Sequence, residues 1–111
     1  MSFYFRHNKG TLKNPQQILV ELGIWFRNEA PNDITLLKSA EAHNGWFTEA
    51  SVKTALRAHG NALSIEGVAV WLDRYSLETL KFSDKKLGLV LAGNLPLVGW
   101  HDMLCGLVSG C

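Results

Sequence analysis

The run Leu87-Gly88-Leu89-Val90-Leu91-Ala92 constrains this chain more than any other feature. Every position is apolar or glycine, so an extended chain here would be apolar on both faces. Central parallel strands have that character, whereas a strand with one solvated face alternates apolar and polar residues. The next residues, Gly93-Asn94-Leu95-Pro96, have turn and helix-start chemistry. The spacing then predicts a helix from about Leu97 to Ser109, stopped by Gly110. Strand, tight loop and helix make half of a βαβ unit. A parallel strand needs neighbours for its backbone donors and acceptors and cover for both faces, and no second run of this kind occurs in the 111 residues. Three explanations are open. The chain is a piece of a longer protein, it pairs with another chain, or the run is a buried helix. The first is the favoured expectation.

Upstream the pattern is helical. Asn14-Pro15 opens a first helix, because Asn caps free N–H groups and Pro is tolerated in the first turn. Ile18, Leu19, Leu22, Trp25 and Phe26 mark its apolar face, and Pro31 ends it. Asp33 caps a second helix with Ile34, Leu37, Ala40 and Ala42 on or near its buried side, and Asn44-Gly45 stops it. Thr48 caps a third, through Val52, Ala55, Leu56 and His59, that ends at Gly60. Ser64 caps a fourth, with Val68, Trp71 and Leu72 inward. The stretch from Tyr75 to Lys86 reads as a polar connection. The fold class expected is therefore mostly α over residues 1–85, followed over 86–111 by the first βα unit of a Rossmann-like α/β domain, incomplete as it stands.

Composition narrows the functional classes. A net charge of +1 with no basic stripe gives no pointer to nucleic acid. The C-terminal apolar stretch is interrupted by Gly93, Asn94, Pro96, His101 and Asp102, which is too broken for a membrane span. Residues Met1 to Lys9 lack the apolar core of a signal peptide. Two cysteines, Cys105 and Cys111, do not make a disulfide framework, so a reducing, cytoplasmic setting is expected.

Few residues have chemistry to offer. Asn94 reads first as a turn residue and helix N-cap. Gly93 either supplies a positive φ or leaves room for a ligand beside the backbone. The helix N-terminus near Pro96 offers N–H groups to a phosphate, although Pro removes one of them. No GxGxxG occurs. Cys105, among Met103, Leu104, Leu107 and Val108, is expected to be a small buried hydrophobe rather than a nucleophile. His101 and Cys105 have the i, i+4 spacing of a metal-ligand pair, but no second pair accompanies them. Trp25, Trp46, Trp71 and Trp100 are expected to serve mainly in packing, with the Asn44-Gly45-Trp46-Phe47 turn the one that could face a partner domain.

The segment from Lys86 to Asp102, with Ala92-Gly93-Asn94-Leu95-Pro96-Leu97-Val98 at its centre, resembles the opening of the cofactor-binding domain in long-chain acyl-CoA reductases. These LuxC-like fatty-acyl reductases are a branch of the aldehyde dehydrogenase superfamily. The stretch Ala40-Glu41-Ala42-His43-Asn44-Gly45-Trp46-Phe47-Thr48 resembles their helical N-terminal part. The resemblance implies reduction of a fatty acyl-CoA to an aldehyde with NADPH, through a cysteine thioester. It also implies that Asn94, in an Asn-x-Pro element, donates to the oxyanion, and that Gly93 and Pro96 lie beside the cofactor. The sequence departs from the wider superfamily in having Gly93 where an aromatic residue usually precedes the Asn. The nucleophilic cysteine of such enzymes lies far downstream of this motif, and neither Cys105 nor Cys111 corresponds to it. The 111 residues alone are expected to be inactive and to self-associate through the apolar C-terminal segment. The alternative is a non-catalytic helical module that binds another protein.

Overall fold

The computed structural model describes residues 15–76 and 86–109. It is mostly helical, with no strand among the described residues. Five α-helices follow in order: α1 (Pro15–Asn28), α2 (Ile34–His43), α3 (Glu49–Ala62), α4 (Ile65–Leu72) and α5 (Trp100–Val108), with a 3₁₀ turn at Ala30–Asn32 between α1 and α2. The proposed cap Asn14 and most of the polar connection, 77–85, lie outside the described residues.

Three helix starts are set by the residues expected to set them. The Asp33 carboxylate accepts from the Leu36 amide at 3.0 Å, Thr48 Oγ1 from the Ser51 amide at 3.2 Å, and Ser64 Oγ from the Gly67 amide at 3.0 Å. Each satisfies an amide that would otherwise lack an intrahelical partner, worth about 1 kcal/mol. Pro31 is buried in the 3₁₀ turn that follows α1.

The core forms where α1 packs on α3, with α4 against α1 and α2 leaning on α3. Leu19 and Phe26 from α1, Leu37 from α2, Val52 and Leu56 from α3, and Val68 and Leu72 from α4 are buried. The apolar stripes are narrower than their sequence spacing suggests. Ile18 and Ile34 stand largely in solvent and Ala42 is exposed. The buried line of α1 runs through Leu19, Gly23 and Phe26, and α2 is peripheral, covered on one side only.

Gly60 does not stop α3, which continues to Ala62. It allows α1 to come close: a Cβ there would stand 2.7 Å from Arg27 Cγ and 3.0 Å from Phe26 Cβ. The Arg27 guanidinium donates to the Gly60 carbonyl across this contact. Gly23 makes the matching approach from α1, where a Cβ would lie 2.5 Å from the Leu63 carbonyl oxygen. That neighbour is backbone and cannot rotate away. Gly23→Ala should therefore lower stability by about 1–3 kcal/mol through overpacking, despite the roughly 1 kcal/mol that Ala normally gains over Gly inside a helix. Urea denaturation followed by circular dichroism measures it, and an unchanged or higher midpoint would contradict the close-approach reading.

The C-terminal segment joins this unit through α5. Trp100 and Leu104 are buried in the common core, and the Trp100 ring lies 4.9 Å from that of Phe26 and 6.5 Å from that of His59. On the neighbouring face, Trp71 of α4 lies 5.8 Å from the His101 ring. α5 begins three residues later than its apolar pattern suggests, because Leu97 has φ 59°. A left-handed residue cannot continue into a right-handed helix, and for a non-glycine residue it costs about 1–3 kcal/mol.

Residues 86–93 are neither helical nor paired in a sheet. They run back along α5. Leu91 packs on Gly99, where a Cβ would lie 2.7 Å from Leu91 Cδ2, and Leu87 and Leu89 pack over Gly106, at 3.1 and 3.6 Å by the same measure. Val90, between them, is fully exposed. Alternation with a period of two is the signature of an extended chain. The run thus has one face partly covered by α5, with Leu87, Leu89 and Leu91 still 39–51% exposed, and the other bare.

Candidate functional site

The loop between the apolar run and α5 holds the three residues singled out for chemistry. Gly93 is open, with nothing within 4 Å of where a Cβ would stand, and its φ lies outside the left-handed range. Positive φ is therefore not why glycine occupies this position; room beside the backbone remains. Asn94 is exposed, in a bend well before α5. The N-cap position of α5 belongs to Gly99, which makes no side-chain cap bond, so Asn94 does not cap this helix. Among the described residues its side-chain amide makes no hydrogen bond.

Pro96 opens the turn that leads to α5 rather than the helix itself. The helix N-terminus has moved with it. The Trp100 amide donates to the Leu97 carbonyl at 3.0 Å, and Asp102 places a carboxylate in the first turn. A negative charge there competes with a phosphate for the same positive end of the helix.

The loop is tied to the turn after α2 by a bond that sequence reasoning did not anticipate. Asn44 Nδ2 donates to the Gly93 carbonyl oxygen at 3.0 Å, across 49 positions of chain. The same side chain is fixed at its other end, where Oδ1 accepts from the Trp46 amide at 3.0 Å. The backbone of Asn44 is held as well: its N–H donates to Ala40 and its carbonyl accepts from Phe47. Asn44-Gly45 carries a clear stop-and-turn signal, but nothing local in the sequence names a partner 49 residues away. Trp46, beside it in the chain, is exposed, unlike the other three tryptophans.

Cys105 is exposed, not buried. The buried side of α5 is set by Trp100 and Leu104, and residues 101 and 105 fall together on an outer face. Cys105 Sγ lies 3.6 Å from His101 Nε2. This pair meets no third ligand, and no group of three or more metal-ligating residues occurs among the described residues. His59, packed against the Trp100 ring, has its pKa lowered by burial. It lies on the core side and faces no site.

No helix among the described residues is long and apolar enough to cross a membrane. No protein-family model, curated protein or solved structure matches the chain.

Proposed function

We infer that these residues are the N-terminal part of an acyl-CoA reductase that reduces a fatty acyl-CoA to the aldehyde with NADPH. The observation that supports this most directly is the one-sided packing of residues 86–93. Leu87 and Leu89 lean on Gly106 of α5 and Leu91 on Gly99 just before it, all three staying partly exposed, while Val90 is bare and the run has no backbone pairing with a strand among the described residues. The first strand and helix of a parallel α/β domain, before its neighbouring strands are added, would be left open in a similar way. The resemblance supplies the chemistry.

The reaction would run in two stages. A cysteine thiolate, supplied by residues other than these 111, attacks the thioester carbonyl and expels the CoA thiolate. The acyl-enzyme then takes up a hydride, and the collapse releases the aldehyde and restores the cysteine thiolate. NADPH, when bound, supplies that hydride. Negative charge builds on the former carbonyl oxygen in both stages. The role of this chain is to hold a donor there, and Asn94, exposed and without a competing partner among the described residues, suits it. For the nucleotide, Gly93 offers room beside its backbone, as Gly45 and Gly88 also do. The first turn of α5, carrying Asp102, does not fit a phosphate, and no further contact is assigned.

The same bare face favours a second reading, a non-catalytic helical module that binds another protein through residues 86–98. Two measurements separate them. The product of the intact open reading frame should turn a long-chain acyl-CoA over to the aldehyde with consumption of NADPH; absence of that turnover would sink the reductase reading. The 111-residue chain should show no turnover and should self-associate in light scattering at high concentration. A stable monomer there would favour the module.

A further inference from the structure

We propose that Asn44 is a positioning residue for the reaction: through its bond to the Gly93 carbonyl it fixes the peptide plane that leads into Asn94, and so aims the oxyanion donor. The inference rests on the acyl-CoA reductase reading and adds to it a residue from the other half of the chain.

The geometry is specific. The carbonyl that Asn44 holds is part of the Gly93–Asn94 peptide bond, and that bond is planar, so fixing its oxygen also fixes the direction of the Asn94 amide and the start of its side chain. The other backbone bond on this stretch among the described residues is that of the Val98 amide, which donates to the Leu95 carbonyl at 3.3 Å. Gly93 touches nothing within 4 Å of its Cβ position, and Asn94 and Leu95 are exposed. The anchor, by contrast, is rigid. Both ends of the Asn44 amide are engaged, one on Gly93 and one on Trp46, so the group cannot turn over without losing both bonds. The backbone of Asn44 is bonded to α2 through Ala40 and to the start of the α3 cap through Phe47. A donor displaced by about 1 Å from its productive position costs on the order of 10²-fold in rate.

Asn44→Asp separates the positioning role from the structural one. The carboxylate still accepts from the Trp46 amide and so keeps the turn, but it has no proton to give to Gly93. In the full-length enzyme the expected result is a fall in kcat of roughly 10- to 100-fold. KM for acyl-CoA and the thermal midpoint should stay close to wild type. Asn94→Ala combined with Asn44→Asp should be no slower than Asn94→Ala alone, since a donor that is absent cannot be aimed. Hydrogen exchange at residues 93–95 should speed up in Asn44→Asp while α2 and α3 keep their protection.

If the wild-type enzyme reduces acyl-CoA but Asn44→Asp retains full kcat, or if the two substitutions multiply independently, the positioning role is wrong and the reductase reading stands. A wild-type enzyme with no acyl-CoA reduction removes both. Should Asn44→Asp fail to fold, Asn44→Ser replaces it: its hydroxyl can still accept at the turn but is too short to span to Gly93.

Discussion

Replacing Trp100 with Ala should destabilise this chain by about 3–5 kcal/mol, the usual range for truncating a large buried aromatic. Set against a total of roughly 5–15 kcal/mol for a domain of ordinary stability, that is a large share. Trp100 is the first residue of α5 and is buried against Phe26 and His59. Leu104 is the other fully covered anchor of this helix. With Trp100 gone, Leu104 is the one buried anchor left to 86–109, helped by the partly buried Leu97, Met103 and Val108. The loss should accordingly be uneven. Limited proteolysis should begin at residues 86–98, while α1, α3 and α4, whose core is continuous without α5, remain protected. Urea denaturation at concentrations low enough to prevent association gives the magnitude. A change below 1 kcal/mol, or uniform proteolysis, would show that α5 is not docked in this way.

Asn94→Ala has the largest expected effect on activity. If the proposed acyl-CoA reductase reading holds, kcat for acyl-CoA reduction by the longer protein should drop by about 10²–10³-fold, the typical loss when one oxyanion donor is removed. Stability should move by no more than about 0.5 kcal/mol, as for an ordinary surface substitution, because Asn94 is exposed and does not cap α5. Acyl-CoA affinity should be preserved, since the charge that Asn94 meets develops only as the reaction proceeds. Unchanged turnover would remove the oxyanion role. A large loss of stability would instead mark Asn94 as a structural residue of the loop.

The parts of this fold that were legible in the sequence are those decided within a few residues. Asp33, Thr48 and Ser64 cap their helices through amides three positions away, so the residue type and its local setting suffice. Positions decided by a distant partner were not legible. Gly60 looks like a helix stop and is a point of close approach, a distinction that depends on Arg27 and Phe26 of another helix. Cys105 sits in an apolar run yet is exposed, because Trp100 and Leu104 determine which side of α5 is buried. Leu97 adopts a left-handed conformation that no glycine or asparagine announces, and the start of α5 shifts with it. Of the candidate site, Gly93, Asn94 and Pro96 were visible as loop chemistry, whereas Asn44 was visible only as a turn.

The Asn44–Gly93 bond also bears on the order in which the molecule assembles. The helices and the packing of Leu87, Leu89 and Leu91 on α5 join residues close in sequence, and such contacts form early and fast. The bond from Asn44 closes a loop of 49 positions, which costs more chain entropy than the local contacts do. During refolding, helical signal should therefore return before the Gly93–Asn94 peptide is locked. The chain would pass through a helical state in which neither the Asn44–Gly93 bond nor the Trp100–Phe26 contact, which spans still more chain, has formed, and the loop would be fixed late.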